Sequence, residues 1–516
     1  MLTVLLGVTA CERPVDTTAG SDFRRVLHRG NGGQPGTLDP ALAEDIHAFN
    51  ILSDLYEGLI AEAANGDLVP GVAESWQLHD GGRTYRFTIR DNALWSNGEP
   101  VLAADFVRSF RRLASPEAVS GYAFLLEPIL NFSAINAGEM SPEKLGVVAV
   151  SEHLLEIRLA SPAHHWLSVL AMPVASPAPR SADENISNGA YSLKERRAGG
   201  EIRLQKNPHY WAATTVEIDE VVYLPVVDPV AEYDMYRAGE LDITNTIPSE
   251  AIQTVRAAFG GQVRIAPSLA LYYLAFDVTE PPFDSTPLRQ ALTMAIDRER
   301  LVALIGRGEQ AAYGVVPPGV AAYENATFDW QHLSQEKRIE HARELYSQAG
   351  YSPESPLAIR LVYDTGDIHE RVALAVTAMW NEALGVETRL DKKEWKYFLD
   401  TREQRREWDV MRFAWFGDYN AANTFLDIFR SGDTQNLAGY QNARYDKLLS
   451  AAADQSDMST VATFMHDAEA ALLGDYPIAP LYFYVSKHLV KPHVLGFENS
   501  TMDRHPSRFL RLVPGD

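Results

Sequence analysis

The sequence predicts a mixed α/β protein. Helical and strand periodicities alternate along the whole chain instead of segregating into halves. Clusters of Gly, Asn, Asp and Pro punctuate them. No period of 20–50 residues appears, which argues against a solenoid or a propeller. A length of 516 residues, at about 100–200 residues per domain, predicts about three domains or two large ones.

Ile46 to Ile60 carries apolar residues at Phe49, Leu52, Leu55, Tyr56 and Leu59, a helical stripe. Asn65-Gly66-Asp67 and Asp80-Gly81-Gly82 are turn signals. Thr84 to Arg90 alternates with period two and predicts a half-buried strand. Val101 to Leu113 returns to helical spacing, with Asp105 early, where a carboxylate suits the helix dipole. Four prolines between Pro162 and Pro179 suggest a domain crossing. Ser285-Thr286-Pro287 starts a helix, because proline loses no hydrogen bond in the first turn. Glu370 to Leu384 is amphipathic and ends at Gly385. Trp408 to Trp415 reads as a strand.

Apolar residues make up 46% and charged residues 22%, ordinary for a globular protein. The formal net charge of −23 disfavours nucleic-acid binding, because a phosphate backbone is repelled. A single cysteine excludes an intramolecular disulfide and a zinc site of several thiolates. No cofactor and no metal ligand set is predicted.

That cysteine, Cys11, follows a short apolar run and Val8-Thr9-Ala10. The pattern resembles a bacterial lipoprotein signal, in which cleavage leaves Cys11 as a lipid-bearing first residue. A run this short cannot cross ~30 Å of hydrocarbon as a helix. The alternative is a buried N-terminal strand with a core cysteine. No Lys or Arg precedes the run, which fits a signal badly and leaves open whether Met1 is the true start. Residues 1–11 are thus expected to be signal and 12–21 a small, polar tether. No later stretch approaches 18 uninterrupted apolar residues, so export with tethering is the simplest account.

Enzyme motifs are missing. There is no Gly-x-Ser-x-Gly, no Gly-Lys-Ser/Thr and no His-Glu-x-x-His; His369-Glu370 continues as Arg371-Val372-Ala373. His164-His165 are adjacent and read as surface or cap residues. Nothing nominates a nucleophile with its base.

Several segments occur in a telling order. Asn31 to Pro40 (NGGQPGTLDP) is followed by Leu52 to Leu59 (LSDLYEGL), Pro70 to Trp76 (PGVAESW) and Trp95 to Val101 (WSNGEPV). Asp105-Phe106-Val107, Arg289 to Leu292 (RQAL) and Ala295 to Arg298 (AIDR) complete the set. Together they resemble the oligopeptide-binding family of ABC-transporter substrate-binding proteins, from about residue 25 to the C-terminus. The resemblance implies a type II periplasmic binding protein fold: two lobes around a ligand cleft plus an inserted domain. Carried over, lobe I spans 22–56, 178–272 and 487–516, the inserted domain 57–177, and lobe II 273–486. It also implies capture of oligopeptides and delivery to ABC permease subunits with their ATPases. The expected protein is a monomer in the periplasm or envelope, touching the membrane only through its lipid.

A receptor tolerant of side chains must grip the parts all peptides share: an ammonium, a carboxylate and a backbone. Roomy, wet pockets then accommodate the rest. Arg412 to Asn420 (RFAWFGDYN) suits this task, since an apolar strand ends in Gly417 and Asp418 stands beyond it. From spacing alone, Asp418 either binds an ammonium or caps a helix starting near Asn423 or Thr424. The resemblance implies the first. It likewise implies Arg402, Arg412 and His369 for the carboxylate end. The residues by themselves also permit a structural ion pair of Arg412 with Asp409 or Asp427, and a surface position for His369 at a helix start. Cations at several depths favour oligopeptides over strict dipeptides. Backbone pairing is expected around Asp45 and Ile46 and along Ala414, Trp415, Phe416 and Gly417. Tyr122 and Tyr273 match cleft tyrosines of the family, or belong to ordinary core. Pro267-Ser268 and Phe416 depart from the family's usual residues and alter pocket shape.

Competing readings stay within reach of the same sequence. A receptor for murein peptide, a metal chelate or an opine shares the fold. A sensor signalling through a membrane partner has the same binding site, and an exported peptidase lacks any motif.

Overall fold

A computed structural model describes residues 25–514 apart from 119, 182, 184, 404–407 and 456. The expectations for Cys11 and the tether lie outside the described residues. Fourteen strands form the main sheets: β1 (Val26–Gly30), β2 (Ala73–His79), β3 (Thr84–Ile89), β4 (Val147–Ser151), β5 (Leu154–Arg158), β6 (Tyr191–Arg196), β7 (Ile202–Lys206), β8 (Glu220–Leu224), β9 (Val263–Phe276), β10 (Gln310–Ala311), β11 (Ala358–Asp364), β12 (Glu387–Lys393), β13 (Val410–Phe416) and β14 (Ile478–Leu489). The first sheet has the order β1-β8-β7-β6, the second β2-β3-β5-β4, and the third β10-β14-β9-β13-β11-β12. Two short ladders join Ile60–Glu62 to Leu68–Pro70 and Val494–Leu495 to Arg511–Leu512.

Local chemistry explains most elements. The helix Ile46–Leu55 starts where the Asp45 carboxylate accepts from the Ala48 amide at 2.7 Å. It stops at Tyr56, short of the apolar stripe's end, because Ile60 enters a strand instead. The helix Ala103–Ala114 begins with Asp105 folded back onto the Leu102 amide at 3.0 Å. Asp105 is fully buried and also accepts from Trp95 Nε1 at 3.1 Å, so it does more than favour a dipole. The helix Asp367–Leu384 ends at Gly385 in the left-handed region (φ 74°), which glycine adopts without steric cost. It starts one turn earlier than its apolar stripe, and this places His369 in its first turn.

Two large apolar cores follow the sheets. One is built from Leu269 to Phe483 around the six-stranded sheet. The other runs without a break from Leu27 through Phe87, Phe106 and Trp166 to Tyr191 and Leu510. The segment 57–177 therefore shares its core with the first sheet. A small third cluster gathers Tyr236, Ile252 and Val255 around Leu489, the last residue of β14. His164 and His165 are not free surface residues. The His165 ring stacks on Tyr419 at 4.8 Å, and His164 Nε2 lies 2.8 Å from the Ala452 carbonyl. They form a contact between the proline-rich segment and the region around the larger sheet.

Candidate functional site

β13 carries most of the predicted site. It pairs antiparallel with β9 from Ala270↔Phe416 to Phe276↔Val410. On its other side it pairs with β11 only at Leu361↔Val410 and Val362↔Met411. β11 meanwhile continues along β12 as far as Asp364. The two central strands thus part after Met411, and the β13 edge from Arg412 to Phe416 has no ladder partner among the described residues. An open edge offers amides and carbonyls to an extended chain.

The alternation of a strand then sorts the side chains. Ala414 lies opposite Tyr272, on the face that also carries Arg412 and Phe416. Tyr272 stacks on Tyr482 at 4.7 Å and on His369 at 5.6 Å. Phe416, 60% exposed, leans on Tyr484 at 5.2 Å. The opposite face belongs to the core. Tyr273 is buried against Phe413 and Phe429, as core packing requires. Trp415 is half-buried there.

The structure brings Arg412 and His369 together around a neighbour the sequence did not reveal, Asp364. The buried Arg412 guanidinium is hydrogen-bonded to the Asp364 carboxylate at the end of β11. Neither Asp409 nor Asp427 is its partner. Asp409 accepts from the Arg360 amide at 2.7 Å, and Asp427 binds Arg430 and Asn423. The guanidinium also lies over the rings of Phe398 (5.2 Å) and Tyr272 (5.8 Å). His369 Nε2 is 3.9 Å from Asp364. Burial, then the Arg412 charge, lowers the His369 pKa to about 4, so its ring is neutral at pH 7. Arg402 makes no ion pair among the described residues, and its charge acts on Tyr273.

Three buried nitrogens without a hydrogen-bond partner belong to predicted residues: His369 Nδ1, Arg402 Nε and Trp415 Nε1. Such atoms also occur elsewhere, at Trp166 Nε1 and Thr293 Oγ1 among others, so these three leave hydrogen-bonding capacity free without by themselves marking a ligand site.

Asp418 stands at the other end of the open edge. Its amide donates to Thr424 Oγ1 at 3.4 Å, but its carboxylate caps nothing. The helix Asn423–Leu426 has Ala422 at its cap position, without a side-chain bond. Burial raises the Asp418 pKa to about 6, opposed by the Arg504 charge. Arg504 is held by Glu62 at 3.0 Å, and its Nη2 reaches the Asp418 carbonyl at 3.5 Å. The Tyr122 hydroxyl faces the same spot: burial first, and next the Asp418 charge, raise its pKa. The Tyr122 ring rests edge-on against Phe49 at 5.5 Å.

Gly417 serves the protein's own packing. A Cβ there would sit 3.0 Å from Phe425 and 3.1 Å from Thr424, so glycine lets the turn close onto the following helix. Asp45 has a structural duty too, since its carboxylate accepts from the Ala48 and Gly36 amides. The neighbouring Glu44 accepts from the Gly121 amide at 2.8 Å and so ties this segment to Tyr122. Ile46 is 48% exposed. Asp364, Tyr272, Tyr484 and Arg504 carried no sequence signal, because their placement depends on strand neighbours far away in the chain.

The structure thus sets a buried carboxylate, Asp418, just beyond an open strand edge that carries the Arg412–Asp364 pair. The chain belongs to the bacterial extracellular solute-binding proteins, family 5, whose family description matches residues 67–436. It is 36% identical to the periplasmic oligopeptide-binding protein OppA of Salmonella typhimurium, over 96% of this chain and 94% of that protein. It is 35% identical to the periplasmic murein peptide-binding protein MppA of Escherichia coli, over 98% and 96% of the two chains. A solved structure of MppA in an unliganded open form superimposes with a TM-score of 0.88 at 34% identity, covering 96% of this chain and 98% of that one. The fold is accordingly that of an α/β type II binding protein. No helix among the described residues is long and apolar enough to cross a membrane.

Proposed function

We propose that this protein captures oligopeptides in its interlobe cleft and delivers them to an ABC permease, without itself breaking a bond. The observation that carries the reading is the pairing of the open β13 edge with an uncapped, buried carboxylate at its end. In this reading Asp418 receives the peptide ammonium. Residues 412–416 pair with the peptide backbone, with the segment at Asp45 and Ile46 facing them. Tyr122 and Phe416 line the near side chains. From Gly417 to Arg412 the strand runs about 16 Å, the length of four or five extended residues. Beyond that, His369, Arg402 and the Arg412–Asp364 pair offer hydrogen bonds to the peptide carboxylate. Trp395 and Tyr397, both more than half exposed near Phe398, widen that end with apolar area. The lobes divide in this reading at 22–56, 178–272 and 487–516 against 273–486, with 57–177 inserted.

The test is calorimetry with free peptides of two to six residues and their N-acetylated twins. Free peptides are expected to bind, and acetylation is expected to weaken binding at least tenfold, because an acetyl group removes the charge that Asp418 holds. Equal affinity for both forms would sink the ammonium anchor.

The likeness to MppA supports a second reading, a receptor for murein-derived peptide. Including such a peptide in the same series distinguishes the two. The periplasmic relatives support export, and the Val8-Thr9-Ala10-Cys11 pattern is what supports a lipid anchor at Cys11. Cys11→Ser is then expected to move the protein from the membrane to the soluble fraction of cells. A wild-type protein already soluble after fractionation would remove the anchor.

A further inference from the structure

Away from the cleft, three side chains converge that the binding reading does not use. His488 lies on β14, one residue before its end. Asp503 and His505 lie in the C-terminal segment that follows. His488 Nε2 is 2.7 Å and His505 Nε2 3.0 Å from the same oxygen, Asp503 Oδ1, and the three candidate ligand atoms all lie within 4.8 Å of one another. Both rings are buried, whereas the Asp503 side chain is one-third exposed. Asp503 also adopts a positive φ of 55°, uncommon for a residue with a side chain.

The tautomers leave room for a positive species between His488 and Asp503. His488 Nδ1 is 2.8 Å from the Thr244 carbonyl, which only accepts. The proton must therefore sit on Nδ1, and the Nε2 lone pair points at a carboxylate oxygen. Two acceptors at 2.7 Å require a positive species between them, either a second proton or a metal ion. A carbonyl fixing the far nitrogen is the usual way a metal-binding histidine is oriented. A tetrahedral ion with bonds of about 2.0–2.1 Å needs ligand atoms roughly 3.3 Å apart. The two contacts to Asp503, at 2.7 and 3.0 Å, need to open by roughly 0.6 and 0.3 Å.

The surroundings hold the ligands in place. His505 stacks on Phe497 at 4.0 Å. The nearby Arg29 guanidinium is turned to the His505 carbonyl at 2.7 Å and Ser507 Oγ at 2.9 Å, with buried Asp54 also near its charge. We propose that His488, Asp503 and His505 bind one divalent ion of the zinc class through two imidazole nitrogens and one carboxylate. The exposed flank of Asp503 is the entry path and leaves the fourth position to water. Imidazole donors select zinc, nickel or cobalt over magnesium and calcium. The ion ties β14 to the segment bearing Arg504, the residue that touches the Asp418 carbonyl.

The experiment uses the full-length protein dialysed against chelator. Zinc is expected to bind with one-to-one stoichiometry in calorimetry and to raise the melting temperature, while magnesium does neither. Cobalt is expected to give the visible absorption of a four-coordinate site. His505→Gln, checked for folding by circular dichroism, should weaken zinc binding at least tenfold. Asp503→Asn is the second variant if that one folds poorly. A more open grouping, His493 with Asp242 at 2.8 Å and His28 at 3.6 Å from the same carboxylate, supplies the control. His493→Gln should leave zinc binding unchanged. No zinc effect in the wild type overturns the proposal. So does one that survives in both His505→Gln and Asp503→Asn, or one that disappears in His493→Gln.

Discussion

Asp418→Asn weakens free-peptide binding by tenfold or more and, at neutral pH, makes the ligand-free protein more stable. The first effect follows from losing a charge-assisted bond shielded from water, worth about 1.5–3 kcal/mol. The second follows from burial. The folded carboxyl titrates at about 6, against 3.8 for the ordinary group. A raised carboxyl pKa favours the folded state only while the group is protonated. That contribution is complete below pH 3.8 and is lost as the pH rises through 6. At pH 7–8 the wild type therefore carries an ionised carboxylate that the folded state disfavours, and asparagine removes it. A shift of about two units corresponds to at most about 3 kcal/mol. In a chain of this length that is at most about 3 °C in melting temperature. The same titration predicts that peptide affinity falls as the pH drops below 6, where Asp418 becomes neutral. Melting curves at pH 5 and pH 8, with and without peptide, check both parts. A folded variant with unchanged affinity would remove Asp418 from the site. A variant less stable than wild type at pH 8 would refute the burial argument.

Arg412→Met is expected to act mainly on stability. It strands the buried Asp364 carboxylate, whose next described cationic candidate is the neutral His369 ring at 3.9 Å. Breaking a buried pair by removing one partner costs about 3–5 kcal/mol, whereas replacing both members by apolar groups is often nearly neutral. Arg412→Met should therefore shift the denaturant midpoint strongly, and adding Asp364→Leu should recover most of the loss. Should Arg412→Met prove as stable as wild type while losing peptide, Arg412 acts as a free cation for the ligand and its pairing with Asp364 counts for little.

The candidate site was partly legible in the sequence, and the division has a physical pattern. Asp418 could be singled out because strand, glycine and acid follow one another directly. The alternative, a helix cap, failed only when Ala422 appeared at the cap position. Arg412 was recognisable as a charge within an apolar strand. Its partner was not, because Asp364 lies 48 residues away and meets it only where β11 and β13 part. Tyr272 and Tyr273 look alike in sequence, yet one faces His369 and the other Phe429. A shift of one residue in strand register would exchange them. His488, Asp503 and His505 have no spacing that matches a metal motif.

The sequence by itself determined the alternation of helices and strands, the helix start at Ser285-Thr286-Pro287 and stop at Gly385, and the family of the chain. Those features act through dihedral preference, apolar period and hydrogen bonds to near neighbours, and each is written within a few residues. Tertiary structure alone decided that β13 keeps a free edge beyond Met411, that Asp364 neutralises Arg412, and that residues 57–177 share a core with the first sheet. Which strands adjoin, and in what register, depends on the packing of whole sheets. Ion-pair partners and orphaned donors are consequences of that packing, and they become readable only once the distant segments have met.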